Sequence, residues 1–139
     1  MILIDSNIWI YYLDPTTKEH EKVKMVIKET IIKEKILSSP IIWMEVAHYL
    51  FKVSSMPRRG LAEKLKKLMK LATMEIAEFD VDILNMGIDV LSELQEIKIG
   101  GRDAAIIATM MKYNVRKIMT HDKAFRKIKD LVVIDPVEE

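Results

Sequence analysis

The 139-residue chain contains no cysteine. Disulfides, thiol catalysis and cysteine-ligated zinc or iron–sulfur centres are therefore excluded. Its three histidines, His20, His48 and His121, do not form an H-E-x-x-H pair, which excludes that zinc-protease motif. The remaining metal chemistry is that of a hard cation held by oxygen. Aromatic residues make up only 6%, so the core falls to Ile, Val, Leu, Met and Ala. No apolar run approaches the ~18 residues of a membrane helix. Met1-Ile2-Leu3-Ile4-Asp5 carries no basic segment ahead of its apolar residues, unlike a signal peptide. The expected setting is the cytoplasm, away from membranes. Neither sign of charge is in excess: 22 Lys and Arg against 21 Asp and Glu leave +1. That balance argues against nucleic-acid binding by bulk charge but leaves room for a local basic patch beside an acidic site.

Half of the residues are hydrophobic, and the length suits a single domain over residues 1–139. No linker, repeat or low-complexity segment interrupts the chain. Short apolar runs alternate with amphipathic stretches. Ile2-Leu3-Ile4 reads as a strand, residues 6–14 as a short helix, 17–34 as a second helix, and Ile36-Leu37-Ser38 as a strand. Pro40 opens a helix through Phe51, and a further helix carries Leu61, Leu65, Leu68, Met69 and Ala72. Residues 75–79 read as a third strand, with Asp80 or Asp82 capping a helix that reaches about Ile97. Residues 103–113 are helical, Lys117-Ile118-Met119 is a strand, a short helix starts at Asp122, and Leu131-Val132-Val133-Ile134 is the last strand. This alternation predicts a three-layer α/β/α sandwich around a mainly parallel sheet. Ile2–Ile4 and Leu131–Ile134 are apolar throughout, as strands buried on both faces are. Met110, Met111 and Met119 read as core filler.

In such sheets the ligand site lies beyond the carboxyl ends of the strands. Asp5 and Asp122 each follow a strand there, and each could equally cap the next helix. Asp103 lies in the first turn of its helix, where the helix dipole favours a carboxylate. It also opens the apolar stripe of Ile106, Ile107 and Met110, which turns it toward the sheet. Glu45 is inside a helix and caps nothing. It lies nearly opposite Trp43, Ala47 and Leu50, on a face with His48, Tyr49 and Lys52 that could be a solvated one. Together, four carboxylates supply the oxygen ligands that Mg²⁺ or Mn²⁺ requires for phosphodiester hydrolysis. Asp135 also follows a strand, but Pro136 beside it reads as an ordinary turn.

Four blocks carry a resemblance: Ile2-Leu3-Ile4-Asp5-Ser6-Asn7, Ser39-Pro40-Ile41-Ile42-Trp43-Met44-Glu45-Val46, Arg102-Asp103-Ala104-Ala105-Ile106-Ile107-Ala108 and Thr120-His121-Asp122-Lys123-Ala124-Phe125. In order and spacing they resemble the PIN-domain family over nearly the whole chain. The resemblance implies an α/β/α sandwich and metal-dependent endoribonuclease activity with Mg²⁺ or Mn²⁺. It places the catalytic and metal-binding acids at Asp5, Glu45, Asp103 and Asp122, with Asn7 and Thr120 in support. The small size resembles that of VapC-like toxins of toxin–antitoxin pairs, which implies an RNA substrate, a cognate antitoxin and a homodimer. Ala124 departs from relatives that carry an acid there, so the site would rest on four acids.

Arg58, Arg59, Lys64, Lys66, Lys67 and Lys70 could track an RNA backbone or form the solvated face of a helix. Arg102 could approach a phosphate or lie on the surface. The competing functions are a catalytically silent PIN-like module that binds RNA or protein, and an RNA-processing or quality-control nuclease. A receiver-type phosphoryl-transfer domain ranks below these, because Ser6-Asn7 follows Asp5 where a second acid would be needed.

Overall fold

The computed structural model of the protein describes residues 1–138. Five strands, β1 (Ile2–Ile4), β2 (Ile36–Ser38), β3 (Met74–Ile76), β4 (Lys117–Met119) and β5 (Val132–Ile134), form one parallel sheet in the order β3-β2-β1-β4-β5. Six helices connect them: α1 (Ser6–Leu13), α2 (His20–Lys33), α3 (Pro40–Val53), α4 (Arg58–Met69), α5 (Val81–Glu93) and α6 (Gly101–Lys112). A 3₁₀ segment, Lys123–Lys127, lies between β4 and β5. From β1 the chain steps outward to β2 and β3, then returns to build β4 and β5 on the other side. Right-handed crossovers in opposite directions put the two helix sets on opposite faces. Accordingly α1 packs on α2 and α3, α3 packs on α4, and α5 packs on α6. The expected three-layer sandwich is what forms.

Register puts Leu3 between Leu37 and Ile118, and all three β1 residues are fully buried. β5 departs from the expectation of a strand covered on both faces. It is the sheet edge, and Val132 is 54% exposed there. Of the three methionines read as core, Met110 and Met119 are buried, whereas Met111 is exposed.

Element ends differ where local chemistry outweighs periodicity. β3 stops at Ile76 rather than at residue 79, because Asp80 then caps α5 by accepting the Ile83 N–H at 2.9 Å. α5 ends at Glu93 rather than near Ile97. Leu94, Ile97 and Ile99 still pack on the core, so the apolar pattern outlasts the helix. At the end of α6, Asn114 takes a left-handed conformation (φ 54°). The N–H of Val115 returns to the Met110 carbonyl at 2.9 Å, a Schellman closure that aims the chain into β4. Asp14, buried at the end of α1, accepts Thr16 N–H (3.0 Å), Thr16 Oγ1 (2.6 Å) and Tyr49 Oη (2.9 Å). Burial alone would raise its pKa, but these hydrogen bonds hold it below the usual carboxylate range. The pairing ties α1 to α3 and so fixes the helix that Asp5 begins.

Candidate active site

The strand order reverses at β1 and β4, and their carboxyl ends open the crevice where such sheets bind ligands. Asp5, 1% exposed, leaves β1 and caps α1, its Oδ1 accepting the Ser6 N–H at 2.8 Å. Its Oδ2 accepts the Thr120 hydroxyl at 2.8 Å. Thr120 leaves β4 fully buried, and its Oγ1 in turn accepts the Asp122 N–H (3.0 Å) and Asn7 Nδ2 (3.3 Å). Asn7 Oδ1 accepts the His121 N–H at 3.3 Å. Asn7 and Thr120 thus lace the two strand ends together and orient Asp5.

Arg102, in the first turn of α6, projects its guanidinium between the acids. Its Nε donates to Glu45 Oε1 (2.6 Å) from α3, its Nη1 to Asp103 Oδ1 (2.8 Å), and its Nη2 to Asp5 Oδ1 and to Ser6 Oγ (2.9 Å). The Arg102 side chain is 27% exposed, Asp103 16% and Glu45 43%. Partial burial would lower the arginine pKa, but Asp5, Asp103 and Glu45 hold it above its already high value. Burial raises the pKa of Asp103, and the charges of Asp122 and Asp5 add to that rise against the pull of Arg102. Asp122 makes no contact with the guanidinium among the described residues. Its Oδ1 accepts the Ala124 N–H at 2.9 Å and caps the 3₁₀ segment, while its charge is felt at Asp103.

The structure therefore brings Asp5, Glu45 and Asp103 onto one cation and sets Asp122 on the same rim through Thr120. Capping and convergence are not alternatives, since Asp5 does both. Arg58 and Arg59 are not part of this group. Arg58 lies 5.7 Å from the Phe51 ring centroid, and Arg59 pairs with Glu63 at 3.9 Å. Two features escaped the sequence reading. Ser6 supplies a hydroxyl to Arg102. Asp135 does make a turn, accepting the Val137 N–H at 2.9 Å, but its carboxylate also lies 2.8 Å from His121 Nδ1. Asp135 follows β5 as Asp5 follows β1, and that parallel was the available clue.

The donor set is oxygen only, which suits Mg²⁺ or Mn²⁺. Three carboxylates, from the residue after β1, from α3 and from α6, already gather round one positive group, so their charge suits such an ion. Among the described residues no three acidic or histidine side chains stand in a ligating arrangement while Arg102 lies between them.

Thr120→Val should expose the weight of this lacing. It removes the hydroxyl that orients Asp5 and receives Asp122 N–H, with little change in volume. Metal affinity, read by titration, should fall by roughly 10–100-fold, the usual effect of losing a group that orients a ligand. An unchanged affinity would mean that Asp5 needs no such support.

The sequence profile of the PIN domain matches residues 2–131. No curated protein sequence matches the chain significantly. Among solved structures, Mycobacterium tuberculosis VapC20, described as a sarcin–ricin loop cleaving toxin, superposes with a TM-score of 0.76 at 14% identity, covering 91% of this chain and 93% of that one. FitAcB from Neisseria gonorrhoeae gives 0.75 at 20% identity, covering 98% of each chain. VapBC2 from Rickettsia felis, solved bound to a DNA fragment from its promoter, gives 0.74 at 19% identity, covering 97% of this chain and 98% of that one. These likenesses show a shared fold, and the profile match over nearly the whole length shows the family: the chain belongs to the PIN domain family.

Proposed function

We propose that the protein is a metal-dependent endoribonuclease acting in the cytoplasm as the toxin of a VapBC-type toxin–antitoxin pair, with residues 1–139 as one catalytic unit. The observation that carries this reading is the convergence of Asp5, Glu45 and Asp103 on one cation at the switch point of the sheet, with Asp122 beside them. Asp5, Glu45, Asp103 and Asp122 would hold Mg²⁺ or Mn²⁺, which when bound neutralises phosphate oxygens and makes an attacking water more acidic. The chain's own part is positioning. Thr120 fixes the Asp5 carboxylate and is itself held by Asn7, and the first turn of α6 places Asp103 beside it.

Purified protein should cut unstacked RNA with Mg²⁺ or Mn²⁺ and stop in EDTA, because a single strand can bring its backbone to the carboxylates. Cleavage that persists in EDTA would refute the metal-dependent mechanism. A second reading has one observation in its favour. Arg102 takes up the very carboxylates that a metal would need, as it would in a silent PIN-like binding module. Absence of cleavage at millimolar Mn²⁺ would decide for that reading.

The toxin assignment draws on solved structures of the same fold, among them a sarcin–ricin loop cleaving toxin and a toxin–antitoxin complex from Klebsiella pneumoniae. Co-expression with a small neighbouring gene should relieve a growth defect, and no defect from an active nuclease would favour an RNA-processing role instead. A homodimer is supported by α5, where Val81, Leu84, Ile88 and Leu91 form an exposed apolar stripe at helical spacing. A sedimentation mass of one chain for the wild type would remove it.

A further inference from the structure

We propose that Arg102 is a resident counter-ion of the acidic site, which a divalent cation must displace in order to bind. The inference rests on the metal-dependent reading above and adds a gate to it. All three guanidinium nitrogens are committed: Nε to Glu45, Nη1 to Asp103, and Nη2 to Asp5 and Ser6. Arg102 engages one oxygen of each of the three carboxylates, so a divalent cation would compete with it for the same groups. Asp5 Oδ1 already accepts from Ser6 N–H and Arg102 together, and leaves no room for a third strong partner. A guanidinium also spreads its donors over a planar fork, whereas Mg²⁺ demands compact, near-octahedral oxygens. The carboxylates fanned around Arg102 are accordingly not in a ligating arrangement among the described residues.

The side chain has a way out. Arg102 is 27% exposed, and it follows Gly100-Gly101, where an added Cβ would meet nothing within 4 Å. Solvent is therefore at hand on the side from which α6 begins. With the guanidinium in place, the close acids keep a partner and the metal-free fold is spared their mutual repulsion. With it displaced, the same oxygens are free. Metal affinity is then reduced by the fraction of molecules in which the guanidinium is out. If one molecule in about ten is open, the apparent affinity is weakened about tenfold.

The test measures Mn²⁺ binding directly, from the electron paramagnetic resonance signal of the free ion, with melting temperature in EDTA as a second reading. Arg102→Gln should bind Mn²⁺ about tenfold more tightly than the wild type while melting at a lower temperature in EDTA. Arg102→Lys keeps one charge without the fork and should fall between them, which carries the test if the Gln variant does not fold. Equal or weaker Mn²⁺ binding by both variants, with the wild type still binding, would overturn the counter-ion role alone. Failure of the wild type and both variants to take up Mn²⁺, or wild-type uptake that survives Asp5→Asn, would instead overturn the metal-site reading beneath it.

Discussion

Asp5→Asn should cost the protein its chemistry and a large part of its stability in a single change. Asp5 is 1% exposed, and its charge is balanced by Arg102, the Thr120 hydroxyl and the Ser6 N–H. An Asn keeps the cap, because Asn serves there about as well as Asp. It cannot keep the rest. Its amide N–H₂ faces either the Thr120 hydroxyl or the Arg102 fork, and the guanidinium loses its most buried partner. Breaking a buried ion pair from one side costs about 3–5 kcal/mol. Arg102 retains Glu45 and Asp103, so we expect a loss of about 2–4 kcal/mol in EDTA. RNA cleavage should fall on the order of 10³-fold, since one of the proposed ligands of the charge-neutralising cation is lost. Urea melts and a gel assay measure both. A variant that unfolds within ~0.5 kcal/mol of the wild type and still cuts would take Asp5 out of the site.

What could be read beforehand divides along physical lines. β1 and β4 were legible because their apolar runs are short and end in polar residues, with Asp5 after the first and Thr120 after the second. The parallel sheet followed from the alternation of elements. The end of α5 was not legible, because Leu94, Ile97 and Ile99 serve the core from a non-helical segment and continue the apolar pattern. β5 was misread as doubly covered because composition cannot tell an edge strand from a central one. Position alone left a capping or solvated reading open for each of Asp5, Glu45, Asp103 and Asp122, and it was the family resemblance that grouped them. Arg102 could not be placed. Its partners lie 97 and 57 residues away, at Asp5 and Glu45, and only the fold brings those side chains to the start of α6. Charge compensation in a site is a property of tertiary structure, and a basic residue beside an acid in sequence carries little information about it.

Asp103→Asn should give the opposite result on stability and the same result on cleavage. Asp103 shares Arg102 with Asp5, but its pKa is raised above the ordinary value of 3.8, mainly by burial and further by Asp122 and Asp5. The sign follows from proton counting. Between the unfolded and the raised folded pKa, the folded metal-free state holds a proton that the unfolded state has released. Stability therefore falls as pH rises through that window. Asp14 and Asp135 have lowered pKa values and act in the other direction. They are common to both proteins and cancel in the difference between variant and wild type. That difference should be near zero or slightly negative below pH ~4, where Asp103 is protonated in both states. It should then grow with pH to favour the variant by about 0.5–1 kcal/mol at neutral pH in EDTA. Part of the relief is offset by losing a carboxylate at the N-terminus of α6, worth about 0.3–1 kcal/mol. Saturating Mn²⁺ should reverse the order, because ligand binding raises the wild-type melting temperature and the variant lacks one of the proposed ligands. Cleavage should fall on the order of 10³-fold. Thermal melts of both proteins across pH, in EDTA and in Mn²⁺, separate the contributions. If the difference is flat with pH and Mn²⁺ stabilises both equally, the raised pKa carries no energetic weight and Asp103 is only a residue of the first helical turn.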